Sequence, residues 1–434
     1  MKKLLTTVLA MCVALGVFQA AAQTQPEATK QTRTDRQQSP DPQRMEAPLR
    51  LLVGTYTENT TAQGVYLFSF GPETADTQLL DMAPAGNPSF VVASPDGTRA
   101  YAVNEFNDGR QGVSAFSLSA DSIELINTIP IPQDEVSGED PCNILLIPAT
   151  RHITGEGQET GRGLTAHITG TGKAATPAEA KYDILITSNY TGGSVTAFAA
   201  DTHEGLLACT QWYSTGIEYT HALLGTSLGN DPAHMHCAVL SPDGKYIFVT
   251  NLGNDCIHRF ERRDGIHPLG NATTAWQHRG LRKYGPRHLI FSADGRFAYL
   301  ICELTDHLVV FSYNDGELTP IQTLKAYDGR GCGSADIHLS PDGRFLYTSH
   351  RLKEDGIAIF GVDPASGNVT RTGFQPTGTH PRNFAISPDG RYLLCACRDS
   401  NAIEIYSIDK NSGALSPSGK AIEVGAPVCV QFVD

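Results

Sequence analysis

Tryptophan occurs only twice in 434 residues and aromatics make up 8% of the chain, so a large core has to be built mainly from Val, Ile, Leu, Ala and Phe. No Cys-x-x-Cys pair occurs, which removes a thioredoxin-type redox site and a cysteine-based zinc site. Lys and Arg number 33 against 46 Asp and Glu and never run beyond pairs, so the clustered basic face that nucleic acid requires is missing. Long apolar runs are missing too, except near the N-terminus. There Lys2 and Lys3 precede an apolar stretch from Leu4 to Phe18, and small residues end at Ala20-Ala21-Ala22. This pattern reads as an export signal over residues 1–22, too short to be a membrane span, and predicts a periplasmic or secreted protein. Residues 23–47, rich in Gln, Thr, Pro and Asp, read as a flexible linker. Nine of the ten cysteines follow the signal, mostly inside strand-like runs, and read as small buried hydrophobes more than as a disulfide framework.

What is present is repetition. Ser94-Pro95-Asp96-Gly97 returns as Ser241-Pro242-Asp243-Gly244, Ser292-Ala293-Asp294-Gly295, Ser340-Pro341-Asp342-Gly343 and Ser387-Pro388-Asp389-Gly390. The last four copies stand 51, 48 and 47 residues apart, and the first gap of 147 is three such periods. Each tag lies between a short apolar run and a β-rich run, so it reads as a hairpin turn. A strand, a polar loop and a strand ending in an aromatic recur seven times, from Leu51–Phe70 to Tyr392–Tyr406. One untagged unit has its turn expanded into a Gly/Thr/Ala-rich insertion at about 150–180, whose glycines lack phosphate-loop spacing. The first unit lacks an inner strand, and the C-terminal run Pro427 to Phe432 lacks a sheet. Pairing the two predicts an all-β fold, a seven-bladed β-propeller over 48–434 with no open edge.

Gly285-Pro286-Arg287-His288, His380-Pro381-Arg382-Asn383-Phe384, the tags that follow them, and the opening Leu52-Val53-Gly54-Thr55-Tyr56-Thr57 resemble the propeller-type lactonase family. That family includes bacterial 6-phosphogluconolactonase and fungal carboxymuconate cyclase. The resemblance implies a lactone hydrolase without a cofactor. The export signal and the 150–180 insertion depart from the family pattern.

The tag also serves as a ruler. Five positions before each copy stand Ser89, His236, Arg287, Ala335 and Arg382, with Cys142 and Val428 as equivalents in the untagged blades. Eleven positions after the start of each tag stand Glu105, Leu252, Glu303, Arg351 and Arg398. Antiparallel strands bring both registers to the mouth opposite the tags. The bland reading is solvated strand ends with ion pairs between blades. An arginine-rich mouth on an acidic chain instead suits an anion, so the expected partner is a small anionic lactone or sugar acid.

A lactonase needs a base for water, a donor for the oxyanion and contacts that orient the sugar. Glu303 or His236 fits the base and Arg287 the oxyanion. Arg351 and Arg382 suit a distal anionic group, with Glu105 and Arg398 also in contact with substrate. The resemblance to the fungal cyclase implies a set of His236, Arg287, Glu303 and Arg351. His234 and His236 are two apart, as metal ligands on a strand can be, but no third ligand stands at motif spacing. His288 and His338 read as hydrogen-bonded core residues, and Cys332 in its Gly-rich loop as inert. The other functions open to this pattern are a non-catalytic propeller that binds an anion or protein, and a lactonising cyclase.

Overall fold

The computed structural model describes residues 47–132, 137–149, 182–201, 205–214, 232–327 and 333–433. The 1–22 signal, nearly all of the 23–47 linker, the 150–180 insertion and Cys332 lie outside them. The described residues form seven four-stranded antiparallel sheets, as the repeats predict. Blade 1 joins Leu49–Thr55, Gly64–Phe70 and Thr77–Pro84 to the C-terminal strand Pro427–Val433, which pairs Leu51 with Phe432 and Val53 with Val430. Blades 2 to 7 begin at Val91–Ala93, Pro141–Ile147, Met235–Leu240, Pro286–Phe291, Ser334–Leu339 and Pro381–Ile386. These first strands touch from blade to blade and line the ring, with Pro427–Val433 standing between blades 7 and 2.

Apolar clusters fill the gaps between facing sheets. Tyr299 and Val310 of blade 5 meet Leu346 and Phe360 of blade 6, all fully buried or nearly so. Removing such area from water is the main favourable term, at roughly 25 cal/mol per Å². Among the described residues eight cysteines are free thiols, and seven of them are buried.

The tag turns the chain from first to second strand by a fixed set of bonds. In Ser340-Pro341-Asp342-Gly343 the Gly343 N–H donates to Ser340 O (2.8 Å), the Ser340 hydroxyl to Asp342 Oδ1 (2.6 Å) and the Phe345 N–H to Ser340 Oγ (3.0 Å). Gly343 has φ 70°, a region that L side chains enter only at a cost.

At the opposite end, the first strands break their ladders at one register. Pro286 pairs with Cys302 and His288 with Ile301, so Arg287 has no opposite number. The same break skips Cys142, His236, Arg382 and Val428, and in blade 6 it takes in Ala335 and Asp336. A bulge of this kind re-aims the skipped side chain out of the alternating pattern.

Candidate active site

The bulge comes with a second constant feature. The residue after the second strand donates its N–H to the carbonyl two residues before the bulge: Tyr56 to Ala426, Glu105 to Asn87, Tyr190 to Asp140, Leu252 to His234, Glu303 to Gly285 and Arg398 to His380. Five of those acceptor residues, Asn87, Asp140, Gly285, His380 and Ala426, have positive φ, which turns the chain sharply into the first strand. One backbone corner therefore presents two side chains per blade to the same mouth.

Glu303 is the centre of the cluster. Arg287 Nε donates to its Oε2 (2.9 Å) and Arg351 Nη2 to its Oε1 (2.7 Å), with only 2% of the Arg287 side chain and 5% of the Arg351 side chain exposed. Burial pushes the Glu303 carboxyl up, but Arg287, Arg351 and Arg382 outweigh it and hold it below the ordinary carboxylate range. Burial and the neighbouring Arg287 bring Arg351 down to about 9, against the pull of Glu303. Arg351 also donates Nε to Gly333 O (3.1 Å) and lies 3.2 Å from His380 Nε2.

Arg287 is held from a third side. Its Nη1 donates to Ala335 O and to His288 Nε2, while His288 Nδ1 meets Asp336 Oδ1 at 2.7 Å. A guanidinium donor at Nε2 and a carboxylate acceptor at Nδ1 fix His288 as the neutral Nδ1–H tautomer. Asp336 accepts further bonds from Asn383 Nδ2 and the Phe384 N–H, and lies 2.9 Å from His338 Nε2. No bond ties Arg287 Nη2 to the described residues.

Across the mouth, Tyr56 donates its hydroxyl to Glu105 Oε1 (2.8 Å), and its ring lies 5.3 Å from the Arg382 guanidinium. Burial drives the Tyr56 hydroxyl pKa up, so it stays a donor. Arg382 reaches Glu105 only at 3.7 Å, and among the described residues it has no closer hydrogen bond. His236 stands edge-on to Tyr190 (5.7 Å) and to His288 (5.3 Å). Burial, then the Arg287 charge and His288, hold the His236 imidazole well below its usual pKa and therefore neutral.

Three buried polar atoms in these two rings have no partner among the described residues: His236 Nδ1, Glu105 Oε2 and Ser89 Oγ. Buried polar groups are nearly always satisfied, so three such atoms around one mouth make it the candidate site.

Glu303, His236, Arg287, Arg351, Arg382 and Glu105 thus come together as counted from the tags. Arg398 does not. It sits on the short helical turn Arg398–Ser400, partly exposed, and donates Nε to Asp399 (2.6 Å). His234 stacks on Tyr190 (4.3 Å) and meets Tyr190 O with Nδ1 (2.8 Å), which engages that nitrogen away from any metal. Tyr56 and Tyr190 escaped the count because their blades carry no tag; measured from the end of the second strand, they stand in register with Glu105 and Glu303. The run Gly225-Thr226-Ser227-Leu228-Gly229 has nucleophile-elbow spacing and falls outside the described residues.

Comparison with known proteins gives one consistent result. The family model described as "Lactonase, 7-bladed beta-propeller" matches residues 50–155 and 154–432. A 6-phosphogluconolactonase of Formosa agariphila is 30% identical over 395 residues, covering 88% of this chain and 99% of that protein. A crystal structure from Bacteroides fragilis shares 36% identity, covers 91% of this chain and all of its own, and has a TM-score of 0.72. A structure described as a periplasmic gluconolactonase from Pseudomonas aeruginosa is 28% identical, covers 89% of this chain and 99% of its own, and has a TM-score of 0.72.

Proposed function

Because the chain belongs to the seven-bladed β-propeller lactonase family, we propose that it hydrolyses the internal ester of a sugar acid at the mouth around Glu303. Water adds to the lactone carbonyl carbon and the acyl C–O bond breaks. The ring oxygen leaves as a hydroxyl, taking one proton, and the new acid releases another.

His236 is the base. Its imidazole is neutral and has no partner at Nδ1 among the described residues, so it can take a proton from a water carried in with the substrate. Glu303 is poorly suited to that task, since both its oxygens accept from guanidinium groups and its carboxyl is held in the ionised form. It serves instead as the anchor that aligns Arg287 and Arg351. Arg287, with Nη2 uncommitted, meets the oxyanion in a site that needs little reorganisation. Tyr56, Glu105 and Arg382 meet the substrate's hydroxyls.

The observation that carries this reading is one carboxylate gripping two nearly buried arginines beside a neutral histidine with an orphan nitrogen. Hydrolysis of a panel of sugar lactones, followed by pH-stat, tests it. Turnover of every lactone at the uncatalysed rate would sink the lactonase reading. The acid limb of kcat/KM is expected well below pH 6.5, where His236 charges; a limb at or above that pH, or full activity in His236→Ala, removes the base assignment.

We also propose export to the periplasm or medium, supported by the pattern of residues 1–22 and by the periplasmic relative from Pseudomonas aeruginosa. N-terminal mass analysis of the protein made in its host tests this; an intact Met1 in the cytosolic fraction refutes it.

A further inference from the structure

The arginines of the mouth are largely neutralised from within. Glu303 holds Arg287 at 2.9 Å and Arg351 at 2.7 Å, and Glu105 lies 3.7 Å from Arg382. Among the described residues of the mouth, three guanidiniums against two carboxylates leave a single surplus positive charge. The neighbouring imidazoles add none, because burial keeps His236, His288 and His380 neutral. Arg398 is matched by Asp399.

Hydrolysis of an uncharged lactone creates one negative charge, first on the oxyanion and then on the carboxylate. One surplus positive charge answers it. A phosphorylated lactone arrives with close to two negative charges more. Phosphate is normally met by uncommitted arginine forks or helix N-termini. Among the described residues the mouth offers Arg382 alone, and the only helical turn is the three-residue Arg398–Ser400.

Beside the mouth opens a cavity of about 390 Å³, lined in part by Tyr56, Glu58, Thr60, Asn87, Arg398 and Asp399. Tyr56 belongs to both spaces, since its hydroxyl bonds Glu105 and its ring flanks Arg382. The cavity's charges are paired, Arg398 with Asp399 and Glu58 with Arg110 at 2.5 Å, beside the hydroxyls of Tyr56 and Thr60 and the amides of Asn87 and Asn401. Such a lining hydrogen-bonds to hydroxyl groups and offers a phosphate no uncommitted cation.

From this arrangement we infer that the substrate is an uncharged, unphosphorylated polyhydroxy lactone, its carbonyl at Arg287 and its exocyclic hydroxyls in the cavity beside Tyr56. The inference rests on the lactonase reading and adds the substrate's charge and placement. It replaces the anionic lactone expected from counting arginines, because their charge is mostly spent on Glu303 and Glu105.

The test compares kcat/KM of the full chain for D-glucono-1,5-lactone and for its 6-phosphate. The uncharged lactone is expected to be favoured by about tenfold or more. Asp399→Asn, which frees Arg398, is expected to raise the ratio of phosphorylated to uncharged turnover. Equal rates, or a preference for the phosphate, overturn the inference and leave the lactonase reading standing. An Asp399→Asn ratio that stays put or falls removes the placement in the cavity. Hydrolysis of neither compound, nor of any other lactone in the panel, takes down the lactonase reading on which the inference depends.

Discussion

Each blade has two ends built on the same strands, and the two ends behave in opposite ways. At the tag end, five copies of one turn satisfy themselves: serine bonds aspartate at 2.5–2.7 Å and glycine bonds the serine carbonyl at 2.8–2.9 Å. At the mouth, the backbone corner is almost as regular, yet the side chains it presents range from Val428 to Arg287. Regular backbone with divergent side chains is what a ring needs in order to build an asymmetric site from symmetric parts. The tag end closes its hydrogen bonds locally, whereas the mouth spreads them across blades and leaves three atoms without a partner among the described residues.

The contrast can be broken most sharply at Arg287. Arg287→Ala is expected to lower kcat by roughly 10²–10³, the usual effect of losing an oxyanion donor, read by initial rates on the best lactone. A loss confined to KM would make Arg287 a ground-state contact instead. Asp336→Asn comes next. The amide no longer secures the His288 tautomer, so His288 Nε2 ceases to be a dependable acceptor for Arg287. Here kcat should fall by about tenfold or more with KM held, while His338→Ala, which touches Asp336 but not Arg287, keeps most activity. Equal losses in both variants would reduce Asp336 to a structural role.

Acid should act on the mouth end before the tag end. His288 is lowered to about 4 by burial and then by Arg287, and His258 to about 4 by burial. A buried neutral histidine favours the unfolded chain once that chain can protonate, so stability is full above about pH 6.5 and is lost as pH falls from there toward 4. The tag aspartates are held below their ordinary range, Asp96 at about 2, so their contribution is retained until more acid pH. Thermal melts at steps of pH check this; a Tm constant from pH 7 to pH 4 contradicts it. The smallest effect belongs to the tag itself. Gly343→Ala places a Cβ in open space at φ 70°, so it costs only backbone strain, about 1 kcal/mol, with kcat unchanged. A large activity loss would mean the two ends are coupled.

Much of this was legible in the sequence because turns are local. Proline, aspartate and glycine set a turn without help from distant residues, so the tags yielded the blade count and the ring closure. Counting from the tags also reached Glu303, Arg287 and His236, since antiparallel strands of fixed length carry a register faithfully. Where the ruler was missing it failed: Tyr56 and Tyr190 stand in untagged blades. Arg398 has the right register but turns toward Asp399, a choice made by a neighbour one residue away that spacing does not record. Asp336 was hidden differently. Its partners His288, His338 and Asn383 come from three blades, and only the packing of consecutive blades brings them to one carboxylate.

Closure itself imposes an order of events. Leu51 finds its partner in Phe432, 381 residues further on, so blade 1 stays a three-stranded sheet with a bare edge until residues 427–433 have been made. Long-range pairing of this kind is slow to form. Until residues 427–433 dock, the gap between blades 7 and 2 has no Val430 to pack on Ile405 and no Cys429 beside Val91. The ring therefore stays unlocked until this strand docks, and Pro427–Val433 is its latch.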